Sequence, residues 1–218
     1  MGKKIYFSND ELLQQVKVIF ETVAQNADVA AQLDDYGFGT TELAEGQSLA
    51  ATAETTAAST KEESREAKAA YDAFDAKMKT VSKQYSEHRN KSKLLYKTNE
   101  DAKVRLGLKG SPARAIPALL EQMATFYRTL KDDAALLTPL SRVKINAADV
   151  DAQQQLVEEV RTLYAVYARE NNESEQATKD KNAAFTALDA WVRNLYAYAK
   201  FALKDNPQHL QMFGKIVR

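Results

Sequence analysis

Tyr71-Asp72-Ala73-Phe74-Asp75-Ala76-Lys77-Met78-Lys79-Thr80-Val81-Ser82-Lys83-Gln84-Tyr85-Ser86-Glu87-His88 is the stretch on which the fold turns. Its large apolar and aromatic side chains stand at 71, 74, 78, 81 and 85, in steps of three and four. A helix gathers such positions on one face, whereas a strand would scatter them over two. The same alternation runs back through Ala67, Ser64, Thr60, Ala57, Ala53, Ala50 and Gly46 to Leu43, and forward through His88 and Ser92 to Leu95. A second stripe runs from Val150 through Gln153, Val157, Val160, Tyr164, Tyr167, Asn171, Ser174, Thr178, Lys181, Phe185, Leu188, Val192, Leu195 and Ala199 to Ala202. A seven-residue period kept this long predicts left-handed coiled-coil packing. Each long helix covers about 54 residues, or roughly 80 Å at 1.5 Å per residue.

Upstream of the first stripe, Leu12, Val16, Ile19, Val23, Ala30 and Leu33 keep the same steps in a shorter helix. Ser8 with Glu11 reads as its capping box, and Asn146 with Asp149 caps the second long helix. Position 26 should be apolar, yet it is Asn26, and Asp133 stands at the matching place in the second half. Such a pair reads as a kink or a cap that restarts the helix, with a paired polar site as the alternative.

A shift of 107 residues superposes much of the chain on itself in character. Leu12, Val16, Ile19, Val23 and Leu33 land on Leu119, Met123, Phe126, Leu130 and Leu140, and Leu106-Gly107 lands on Phe213-Gly214. The segment around Phe74 matches that around Leu188 better at 114, one heptad more. Two glycines and Pro112 in Gly107-Leu108-Lys109-Gly110-Ser111-Pro112-Ala113 mark a break near the midpoint. The expected architecture is all-α: an elongated antiparallel helical bundle or coiled coil of two tandem helical-hairpin repeats, residues 1–107 and 108–218, sharing one core.

Composition narrows the chemistry. The 218 residues contain no cysteine, which removes disulfides, thiolate metal sites and cysteine nucleophiles. Lys plus Arg and Asp plus Glu are both 30, so no overall charge draws the chain to nucleic acid or an acidic membrane. No apolar run approaches the ~18 residues a spanning helix needs. Met1-Gly2-Lys3-Lys4-Ile5-Tyr6-Phe7-Ser8-Asn9-Asp10 is too briefly apolar for a secretory signal, and Tyr6 does not fit a myristoylation motif. The expectation is a cytoplasmic protein without nucleic-acid or membrane partners.

No catalytic set emerges. There are two histidines; Tyr85 precedes His88 by three places and Asn206 precedes His209, so neither makes the Glu-x-x-His pair of a di-iron bundle. His88 lies on the stripe and reads as a packed histidine. Gly37-Phe38-Gly39 lacks the strand and third glycine of a phosphate cradle, and reads as a turn. No metal or cofactor is expected.

Two segments stand out by charge and polarity. Residues 89–114 hold Arg89, Lys91, Lys93, Lys97, Lys103, Arg105, Lys109 and Arg114 against Glu100 and Asp101, a net of +6. They read as solvated surface or as pairing with the acidic residues 21–66, with an anion site as the alternative. In the second long helix, Asn171, Ser174, Thr178 and Lys181 occupy stripe positions. A solvent-facing segment, a register-setting polar layer and a ligand pocket all fit; the candidate ligand residues are Tyr164, Tyr167, Asn171, Ser174, Thr178 and Lys181, with Trp191 nearby.

Ala184-Phe185-Thr186-Ala187-Leu188-Asp189-Ala190-Trp191, followed by Asn206-Pro207-Gln208-His209-Leu210-Gln211-Met212-Phe213-Gly214, resembles bacterial tandem-repeat all-helical proteins without an assigned function. The resemblance covers mainly the second half and implies no activity. The favoured expectation is a non-catalytic structural or interaction protein, with a protein partner or self-association. The alternative is a small-ligand or metal-binding bundle using the polar layer.

Overall fold

The computed structural model describes residues 8–213, so the amino-terminal segment read above for targeting signals lies mostly outside them, as does Gly214. Every regular element among the described residues is helical: α1 Asn9–Gln25, α2 Ala27–Asp35, α3 Thr40–Leu95, α4 Glu100–Arg105, α5 Ile116–Asp132, α6 Ala134–Leu137, a 3-10 turn Thr138–Val143, α7 Ala147–Ala202 and α8 Pro207–Met212. None of these helices is long and apolar enough to cross a membrane.

The helix limits follow local chemistry. Ser8 Oγ accepts from the Glu11 amide at 3.3 Å while the Ser8 amide donates to Glu11 Oε2 at 2.7 Å, so two otherwise orphaned donors are met at the start of α1. Asn26 sits in extended backbone between α1 and α2, and its side-chain amide donates to the Thr22 carbonyl at 2.8 Å. Asp133 stands at the matching break between α5 and α6 but acts on the following helix, accepting from the Ala135 amide at 2.8 Å. Only Asp133 caps the helix that restarts; Asn26 makes no side-chain cap to α2. Asn146 and Asp149 exchange side-chain and backbone hydrogen bonds at 2.9 and 3.1 Å where α7 begins.

The chain divides into two compact units, Met1–Ser64 with Glu173–Arg218, and Arg65–Asn172. Both long helices contribute to each unit, and each unit draws on both halves of the sequence.

In the first unit the start of α3 runs antiparallel to the end of α7. The Trp191 indole donates to the Glu42 carbonyl at 3.0 Å, and the single Thr60 hydroxyl proton is shared between the Thr56 carbonyl at 2.8 Å and Ala177 of the facing helix at 3.0 Å. A threonine hydroxyl reaches a neighbouring backbone only where small residues bring the helices close, and Ala50, Ala53 and Ala57 supply that. Against them α7 sets Phe185, Leu188, Trp191, Val192 and Leu195, all buried, and α1 closes the core with Leu12, Val16 and Ile19. Gly46 lets α3 approach the Trp191 indole. A Cβ there would lie 2.1 Å from Trp191 Cζ2.

In the second unit α3 is no longer lined by small residues. The later part of α3 brings Phe74, Val81 and Tyr85, while α7 contributes Val150, Val157 and Val160, and α5 adds Met123, Phe126, Tyr127 and Leu130. The helices are again antiparallel: Phe74 meets Tyr164 at a ring separation of 5.4 Å, and Lys77 pairs with Glu159 at 2.6 Å.

Two substitutions test this packing in chemical denaturation. Phe185→Ala empties a buried aromatic position and should cost about 3–5 kcal/mol. Gly46→Ala gains about 1 kcal/mol of helix propensity but must displace a packed indole, a strain of about 1–3 kcal/mol in ordinary cores. With a 2.1 Å approach the strain should win. Because Trp191 is the only tryptophan, its fluorescence should shift with the loss of stability; an unchanged spectrum and a stabilised protein would contradict the contact.

Candidate functional site

The densest chemistry lies in the second unit, on one face of α3. Gln84, Tyr85, His88, Arg89 and Ser92 stand three or four residues apart, so consecutive turns aim them toward α5 and the chain after α4. Tyr85, His88, Arg89 and Ser92 are buried. Gln84 Nε2 donates to His88 Nε2 at 2.8 Å, so the neutral ring carries its proton on Nδ1 and donates it to the Tyr127 hydroxyl at 3.2 Å. Tyr85 meets Phe126 edge-on at 5.5 Å, and Phe126 meets Tyr127 at 5.1 Å. This is an aromatic cluster with one histidine inserted.

Burial governs the ionisation. Desolvation holds His88 below its ordinary value, with Lys91 adding to the effect and Asp149 and Glu87 opposing it. Desolvation raises Tyr127, helped by Tyr85, and raises Tyr85 itself against the pull of Arg89. In the first unit burial pushes Tyr196 up to about 12, and its hydroxyl donates to the Phe213 carbonyl at 2.8 Å. Both nitrogens of His88 are thus engaged inside the unit on a ring only 3% exposed. Such a ring orients its neighbours and does not offer a base to solvent.

Arg89 is the residue that sequence reasoning undervalued. It counted among the basic residues of 89–114, one position off the stripe, and was expected at the surface; it is 2% exposed. Its Nη2 donates to the carbonyls of Gly107 and Gly110, each at 3.1 Å, and more weakly to Lys109 at 3.4 Å. The signal in the sequence was the glycine-rich segment itself: Gly107 and Gly110 adopt φ of 59° and 67°, turning carbonyls inward that some donor must meet.

The residues expected to hold a ligand are divided between the two units. Tyr164, Tyr167 and Asn171 belong to the second; Tyr164 and Tyr167 are half-buried against Phe74, and Tyr167 also meets Tyr71 at 5.4 Å. Ser174, Thr178 and Lys181 belong to the first, all half-buried, with Ser174 Oγ 3.3 Å from Ser64 Oγ. Trp191 stacks against Phe20 and Phe38 at 5.5 and 5.8 Å in the core of that unit. No protein-family model, curated protein or solved structure matches the chain.

His88 carries a pH prediction. Its folded form resists protonation because of burial, whereas the ring in the unfolded chain takes a proton near the ordinary value of about 6.5. Below that value the unfolded state binds more protons, so stability is full above it and is lost as pH falls toward the lowered folded value. Thermal melts between pH 7.5 and 5.5 should show this loss, and His88→Gln should reduce it. An identical pH slope in the variant would assign the dependence to other groups.

Proposed function

We propose that the chain is a non-catalytic structural or protein-interaction protein, a coiled-coil bundle built from two tandem copies of one helical hairpin, residues 1–107 and 108–218. Support for two copies comes from the helix limits. Asn9 and Ile116, Thr40 and Ala147, Leu95 and Ala202, and Arg105 and Met212 are each 107 positions apart. The offset also relates buried side chains: Val81 to Leu188, Tyr85 to Val192, Leu106 to Phe213. It favours 107 over 114 in the long helix, because both ends of α3 and α7 keep the same spacing. The alternating steps of three and four on antiparallel faces within each unit support coiled-coil packing.

One observation carries the interaction reading. Leu94 and Phe201 are 107 positions apart, each one residue before the end of a long helix, and they are 73% and 67% exposed. A single exposed apolar residue needs no explanation. The same exposure at the same place in both copies is the mark of a contact made twice. Each side chain leaves apolar surface in water that a partner would cover at about 25 cal/mol per Å². The weakly polar stripe positions and the internally engaged His88 are consistent with a scaffold.

A photo-reactive residue placed at 94 or at 201 in the producing cells tests this directly. Both positions should yield an adduct of the same mass, absent when the probe is at exposed Lys61. An adduct of twice the chain's mass would name a second copy as the partner. Adducts at 94 and 201 indistinguishable from those at 61 would remove the interaction reading.

A further inference from the structure

A guanidinium cannot shed its charge at neutral pH, and a buried charge must be met by donors, acceptors and counter-charge. Arg89 is met only in part. Its three hydrogen bonds to carbonyls all leave from Nη2, and its buried Nε makes none of ordinary geometry, the Tyr85 hydroxyl being the side chain that feels its charge. Among the described residues no carboxylate forms an ion pair with Arg89, nor with Lys93 one turn later, whose Nζ donates to the same Gly110 carbonyl at 3.1 Å. The acids nearby are committed elsewhere: Glu87 to Lys91 at 2.6 Å, Glu100 to Lys103 at 2.7 Å and Lys109 at 3.1 Å, Asp101 to Arg105 at 3.6 Å. Two cations therefore converge on one carbonyl. Burial, and then the charge of Arg89, hold Lys93 below its ordinary value.

The space beside them suits a small ligand. Arg89 and Lys93 line a pocket of about 280 Å³ with Ser86, Asn90, Gly110 and Ser111, near the lower end of the ~300–1,000 Å³ usual for ligand sites. The side chains of Ser86, Asn90 and Ser111 make no hydrogen bond to the described residues, so their donors are available. At the position 107 residues after Arg89, Tyr196 holds the chain following its own short helix with a neutral hydroxyl, donating to Phe213 at 2.8 Å.

We propose that Arg89 and Lys93 form a binding site for a small phosphate-type oxyanion, either the free ion or the phosphomonoester of a small molecule, with Ser86, Asn90 and Ser111 as neutral donors. A phosphate dianion offsets both charges, which a single carboxylate does not, and offers its oxygens to several donors at once. The site is independent of the exposed apolar positions and stands or falls separately from the interaction reading.

Calorimetric titration of the full chain with inorganic phosphate, at low ionic strength and against matched chloride, tests the proposal. Saturable one-to-one binding is expected, with competition by sulfate and none by acetate. Lys93 is only half-buried, so Lys93→Gln should fold as the parent does and weaken binding on the order of ten- to a hundredfold, the effect of losing one charge-assisted hydrogen bond. Arg89→Gln should abolish binding; if that variant does not fold, Lys93→Gln decides alone. A parallel titration with glycerol phosphate distinguishes the sources. Binding as tight as or tighter than phosphate assigns the site to an ester, and binding of inorganic phosphate alone assigns it to the free ion. No saturable binding at millimolar phosphate, equal affinity in parent and Lys93→Gln, or acetate binding as well as phosphate would overturn the proposal.

Discussion

Two helices of 56 residues each can bury one face along their length only if side-chain sizes are matched across the contact. In the first unit α3 is thin, with Gly46, Ala50 and Ala53, and α7 is thick, with Phe185, Leu188 and Trp191. In the second unit Val81 and Tyr85 on α3 share a core with the valines of α7, while Phe74 packs against Tyr164 and Tyr167. Helix separation is set by the sum of the facing side chains, so thin against thick keeps a workable spacing in the first unit. The short helices then cover the flanks that remain, α1 in the first unit and α5 in the second. Their apolar faces are amphipathic stripes with few reasons to be helical except this burial.

Polar residues on a packed face are tolerated where each finds a partner. Thr60 spends its hydroxyl on backbone carbonyls of two helices, and His88 spends both ring nitrogens on Gln84 and Tyr127. The units differ here. At the positions 107 residues on from Tyr85, His88 and Ser92, α7 carries Val192, Leu195 and Ala199, all buried and apolar. At these positions the first unit is thus apolar, whereas the second holds an aromatic and imidazole network beside a buried cation.

Much of this was legible in the sequence because helical periodicity is local. The alternation around Tyr71 to His88, the Ser8 and Glu11 pair, the breaks at Asn26 and Asp133, and the cap at Asn146 all depend on residues within a few positions of one another. The buried face follows from the same steps, and Phe185 and Leu188 lie in the core as their spacing requires. Spacing was a weaker guide where it marked Tyr71 and Ser64 as core positions, since both are exposed. A stripe states which side of a helix faces inward, not whether something covers it.

The sequence by itself determined helix content, helix limits and the inward face, because these obey 3.6-residue geometry and capping chemistry within one segment. Only the tertiary structure decided which segments meet. It joined the start of α3 to the end of α7 in one unit and their other portions in a second, dividing the polar run from Tyr164 to Lys181 between the two. It also buried Arg89, whose position off the stripe is set by carbonyls at Gly107 and Gly110, 18 and 21 residues away. Contacts at such separations depend on where the chain turns back, and that is fixed by packing and not by the residues on either side.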